Sequence, residues 1–169
     1  MFEKFGFNKK LSKEEEIEKL LTNACEICKN LTNVELKKLD ICDYQYSAKE
    51  AVEELGIDEE LVHQLLEDYV IQVLKSIRQF HEYINKLRIL NYSATKSDYD
   101  TLRELAHKNL GVARNLRVKD AEKLLYVLMK NDDLNYLELC AKALECCAIK
   151  LKPSCAYDTI TLMNLKSTL

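Results

Sequence analysis

The sequence predicts an all-α protein: an antiparallel up-and-down four-helix bundle with additional N-terminal helices. Three observations predict it. The 169 residues include only three glycines and one proline, too few for the tight turns of a sheet-rich fold. Apolar residues make up 47% and charged residues 31%, a globular rather than disordered balance. Between about residues 58 and 151, four segments carry apolar stripes at helical spacing, joined by short connections that make neighbours antiparallel.

Residues 1–11 read as a loose, partly aromatic arm. Ser12-Lys13-Glu14-Glu15 is a capping box that should open a helix running to about Lys29, with Ile17, Leu20, Leu21, Ala24, Ile27 and Cys28 as its stripe. Thr32-Asn33-Val34-Glu35 is a second box, expected to start a short turn of helix toward Leu39. Residues 40–46 are a connector. Ser47-Ala48-Lys49-Glu50 is a third box, and Gly56 is a natural stop for its short helix.

Asp58 then caps the longest helix. Its core stripe is expected to use Leu61, Leu65, Leu66, Tyr69, Val70, Val73, Leu74, Ile77, Phe80, Ile84 and Leu87. Residues 91–97 break it. Ser97 or Asp98 should cap the next helix, which carries His107 and runs to about Leu116. After a turn at Arg117, a third helix points Ala121, Leu124, Leu125 and Leu128 inward. Asn131-Asp132-Asp133 ends it and caps the fourth, with Leu134, Leu137, Ala141, Leu144, Ala148 and Leu151 as stripe. Pro153 is expected to stop that helix, leaving at most a turn around Ile160–Leu165. The expected division is an N-terminal arm and helical extension at 1–46, the bundle at 47–152 and a C-terminal tail at 153–169.

A net charge of −3 offers no basic stripe for nucleic acid. No apolar run approaches the roughly 20 residues of a membrane span, and the charged start MFEKFGFNKK does not read as a secretory segment. A cytoplasmic monomer with no nucleic-acid or membrane partner is the expectation. The seven cysteines, odd in number, read as reduced thiols. Cys25 and Cys28 form a CxxC, but no second close pair with regular spacing and no nearby histidine completes a zinc site. Apolar packing is the expected role, a metal or redox sensor at Cys25 and Cys28 the remote alternative, and no metal or cofactor is assigned.

The segment ELAHKNLGVARNL, residues 104–116, carries the functional signal. At about 100° per residue, Leu102, Leu105, Ala106, Ala113 and Leu116 cluster on one side of the helix, and His107 lies roughly 140° from the middle of that stripe. Arg103 and Arg114 fall on the same exposed face. Gly111, one turn after His107, leaves bare backbone beside the ring at a cost of about 1 kcal/mol in helix propensity. An exposed imidazole is in part unprotonated near neutral pH, so its nitrogen can attack phosphorus. Arginines beside it would match the charge of the phosphoryl group. An ordinary surface histidine on a solvated, charge-laced face is the competing reading. His63 and His81, with no glycine one turn on, read as surface or rim residues. Asn109 falls near the middle of the core stripe, either as a buried amide or because the face is turned by some 30° (one residue's share of the wheel being about 100°).

These residues resemble a known pattern. Leu105-Ala106-His107-Lys108-Asn109-Leu110-Gly111-Val112-Ala113-Arg114-Asn115-Leu116 is similar to the phosphoacceptor helix of histidine-containing phosphotransfer (HPt) domains, close to A-H-x-L-K-G-x-A-x-x-L. Glu54–Val70 resembles the family's lead into its first bundle helix, and the likeness covers about residues 48–151. The resemblance implies that His107 accepts a phosphoryl group from the aspartate of a response-regulator receiver domain or hybrid histidine kinase and passes it on. It implies a phosphoryl carrier with no kinase activity and no nucleotide site. Arg103, Lys108, Gly111 and Arg114 are the expected phosphate- and partner-binding residues. The sequence departs from the family at Leu110, where a lysine is usual, and at Asn109, where a leucine is. Arg117 stands where many members turn with glycine. Arg103 and Arg114 could substitute for the lysine; alternatively, the chain is a degenerate HPt-like module that binds signalling partners without phosphotransfer.

Overall fold

A computed structural model describes residues 10–168; the arm expected at the extreme N-terminus falls almost wholly outside them. The described residues are helical, without strands, and form seven α-helices: α1 (Lys13–Asn33), α2 (Lys49–Leu55), α3 (Glu59–Leu90), α4 (Asp100–Asn115), α5 (Lys119–Lys130), α6 (Leu134–Leu151) and α7 (Pro153–Ser167). Among them no helix is long and apolar enough to cross a membrane.

Most starts and stops follow from the residues expected to make them. The Ser12 hydroxyl accepts from the Glu15 amide at 3.2 Å. The Asp58 carboxylate accepts from Leu61 N at 2.8 Å, and Asp133 accepts from Asn135 N and Tyr136 N. Gly56 ends α2 at φ +66°, a left-handed conformation that glycine adopts without steric cost. Thr95 and Asp98, rather than Ser97, form the capping box that leads into α4 through a 3₁₀ turn at Lys96–Tyr99.

Three expectations are corrected. The box at Thr32 does not form: Thr32 is buried in the last turn of α1 and its hydroxyl donates to Cys28 O at 2.7 Å, so α1 runs on to Asn33. α6 stops at Leu151 as expected, but the tail beyond it is a full helix opened by Pro153 rather than a single turn. Pro153 stands at the first position of α7, where its missing N–H is not needed. Leu61 and Leu65 lie outside the α3 core stripe, at 41% and 36% exposure, and Val62 is buried in their place.

Packing follows the stripes. α3 contacts α4, α4 contacts α5, α5 contacts α6 and α6 contacts α3; α1 lies on α6 and α7, and α7 also packs on α3 and α6. The buried side chains, including Phe80, Leu102, Leu124, Leu137 and Leu144, form one continuous core that also takes in Ala24 and Cys28 of α1 and Ala156 of α7. Two tyrosines of the connector before α2 anchor it to the α4–α5 turn. The Tyr44 hydroxyl donates to Arg117 O and accepts from Lys119 N, both at 3.1 Å, and the Tyr46 hydroxyl donates to Leu116 O at 2.8 Å.

Candidate functional site on α4

The register of α4 is fixed from inside. Asn109 is completely buried, and its amide nitrogen donates to Ser76 Oγ and to Leu105 O, each at 2.9 Å. Ser76 Oγ in turn donates to Gln72 O at 3.0 Å. An amide in the core is tolerated only when its polar atoms are bonded, and bonding to α3 fixes which way α4 faces. The buried-amide reading of Asn109 is therefore the one the structure supports, and the helix face is not turned.

With that face inward, His107 stands in solvent, as do Lys108, Gly111 and Arg114. A Cβ built on Gly111 meets nothing within 4 Å, so the glycine serves no packing contact inside the chain. It leaves open space next to the imidazole.

His107 lies on the wall of a shallow depression shared with Asp100, Arg103, Glu104 and Lys108 of α4 and with Met129 and Lys130 at the end of α5. Two of the expected residues, Arg103 and Lys108, thus share a surface with the histidine. Arg103 is already engaged: its guanidinium pairs with Asp132 in the α5–α6 connection and lies over the Tyr99 ring, 5.2 Å from the centroid. Arg114 is not in the depression. It borders a different hollow, with Leu39, Lys119, Glu122, Lys123 and Tyr126. Lys130 is the cation that sequence reasoning missed, because it reaches the site from another helix. The only signal for it was the antiparallel return of α5 along α4.

Leu110 is buried at 1% exposure. The position that holds a lysine in the HPt pattern faces the core here, so no cation can be presented from it. Arg117 takes φ +58°, and its side chain pairs with Glu54 of α2, its Nε donating to a carboxylate oxygen at 2.8 Å. The chain turns at this point with the backbone conformation a glycine would adopt, held by an arginine.

A second set of reactive groups lies elsewhere. A cavity of about 330 Å³ opens between the connector before α2 and the ends of α3, α5 and α6; among its lining residues are Tyr46, His63, Asp120, Cys147, Lys150 and Lys152. His63, expected at the rim, accepts at Nδ1 from Lys152 Nζ at 2.9 Å. Burial raises the Tyr46 phenol to about 12 and pushes the Asp120 carboxyl upward, the latter opposed by hydrogen bonds from Cys147 and Ala121 N. In sequence no histidine stood near a cysteine; the fold brings His63 and Cys147 to one cavity. Among the described residues, no group of three or more His, Cys, Asp or Glu side chains is placed to hold a metal ion.

No family model, curated protein or solved structure matches the chain.

Proposed function

We propose that α3–α6 form an HPt-like four-helix bundle and that His107 is a phosphoryl acceptor in a relay between receiver domains. The observation that carries the reading is an imidazole in solvent beside open space at Gly111, on a depression that also presents Lys108 and Lys130. The mutual packing of α3, α4, α5 and α6 supports the bundle. An unprotonated ring nitrogen would attack the phosphorus of a receiver's aspartyl phosphate, the N–P bond forming as the P–O bond to the carboxylate breaks. Catalytic Mg²⁺ chemistry would stay with the receiver, and this chain would supply a positioned nucleophile. Lys108 and Lys130 would take the charge-matching role expected of Arg103 and Arg114, since Arg103 is paired with Asp132 and Arg114 borders another hollow.

The test is transfer from purified receiver domains carrying labelled aspartyl phosphate. The wild type should gain acid-labile, base-stable label, and His107→Gln should gain none while keeping its helical fold. Label that survives the substitution would remove His107 from the role. The burial of Leu110 favours a second reading, a docking module that binds signalling partners without accepting phosphate. Receiver binding indifferent to His107→Gln, with no label on either protein, would select it.

A further inference from the structure

We propose that the cavity between the connector before α2 and the ends of α3, α5 and α6 binds a free α-amino acid with an apolar side chain, its carboxylate held by Lys150 and Lys152 and its ammonium by Asp120. The site does not include His107 and is independent of any phosphoryl chemistry there.

The walls are fixed by the fold. Tyr44 and Tyr46 close the cavity on the connector side. Their hydroxyls are tied to the backbone of the α4–α5 turn, at Arg117 O, Lys119 N and Leu116 O, so both rings are held in place. Leu66 of α3, Val118 just before α5 and Leu151 at the end of α6 add aliphatic surface. The volume of about 330 Å³ is at the small end for ligand sites, which run from about 300 to 1,000 Å³.

The charges on this surface are of both signs and are not joined to each other. Asp120, in the first turn of α5, is only 9% exposed. Its Oδ1 accepts from Ala121 N at 2.7 Å, and among the described residues no cation forms an ion pair with it. Lys150, in the last turn of α6, is half-buried and likewise has no ion-pair partner among the described residues. Lys152 Nζ gives one N–H to His63 Nδ1 at 2.9 Å and keeps two others. His63 Nε2 lies 3.5 Å from Glu59 Oε1, which suits a ring protonated at Nε2 and accepting at Nδ1.

This set of groups selects among ligands. A charge taken out of water without a partner is costly. A simple anion would satisfy the lysines but face Asp120. A simple amine would satisfy Asp120 but face the lysines. A neutral apolar molecule would strip water from all three. A molecule that carries both charges close together, with an apolar remainder, satisfies every group. A free α-amino acid is the smallest common molecule of that kind: its carboxylate meets two ammonium groups, its ammonium meets the carboxylate of Asp120, and its side chain lies against the tyrosine rings and the aliphatic residues. Because the walls come from the connector and from the bundle, the bound molecule also bridges the two.

The test is calorimetric titration of the full chain with L-phenylalanine and with L-leucine. Each is compared with its analogue lacking the ammonium, 3-phenylpropanoate or 4-methylpentanoate, and its analogue lacking the carboxylate, phenethylamine or isopentylamine. Saturable binding of at least one of the two amino acids is expected, with both of its analogues weaker by about tenfold or more. Lys150→Met and Asp120→Asn, which keep the side-chain shape, should each weaken it by a similar factor, and His107→Gln should bind as the wild type does. The analogue series on the wild type decides the matter even if a variant folds poorly. No binding of either amino acid, an analogue that binds as tightly as its parent, or binding indifferent to both Lys150→Met and Asp120→Asn would overturn the proposal.

Discussion

The exposed face of α4 and the buried junction of α1, α5 and α6 hold reactive groups in opposite ways. On α4, His107 stands in water with open space beside it at Gly111 and lysines near it. At the junction, Cys28, Cys147 and Asp120 are buried and shift one another's ionisation, and Cys147 and Asp120 border a cavity. A group that must meet another protein needs access more than internal tuning. A group that reacts with a small molecule can be tuned by its neighbours because only the small molecule has to enter.

The substitutions that test this contrast differ widely in expected size. The largest effect belongs to Leu110→Lys, which puts a lysine at a position the core occupies. It should cost about 3 kcal/mol or more, from the lost apolar burial and the charge forced toward the interior, read as a drop in denaturation midpoint. A lysine accepted there without loss would mean that α4 presents a different face. Asn109→Ala comes next: it leaves Ser76 and Leu105 O without their partner and should cost about 1–3 kcal/mol in the same assay.

Gly111→Ala should stabilise the protein by about 1 kcal/mol, since the new methyl meets nothing and helix propensity improves. Gly111→Trp should leave melting nearly unchanged yet reduce receiver binding, which separates a docking role from a packing one. Asp120→Asn probes the other region through pH. The folded protein raises this carboxyl, so the fold favours its protonated form. Its contribution to stability is fullest below the ordinary carboxylate value of 3.8 and declines as pH rises through the raised folded value. Relative to wild type, the Asn variant should therefore gain stability between acid and neutral pH, measured by denaturant unfolding at several pH values; a constant difference would show that Asp120 is not raised. Arg117→Gly should change least. Relief at φ +58° and loss of the exposed Glu54 pair oppose each other, and the melting temperature should hardly move.

What the sequence made legible follows the same division. The helices from α3 to α6 were readable because each carries its own apolar stripe, and α3 and α6 also carry their own caps, Asp58 and Asp133; these are local signals. The exposure of His107 was readable from the helix wheel of one segment. Lys130 beside His107, Asp132 on Arg103 and His63 beside Cys147 were not, because each contact joins residues of different helices. The Thr32 box failed because a hydroxyl can bond back to its own helix as easily as cap a new one. Pro153 misled because proline ends one helix and begins another with the same geometry.

The most direct measurement is to locate the phosphoryl group by mass after incubation with phosphorylated receiver domains, under conditions that preserve phosphohistidine. A single phosphoryl group on the peptide containing His107, missing from His107→Gln, is the predicted result. An unmodified His107 peptide across every receiver tried, or the group found on another residue, would contradict the relay account.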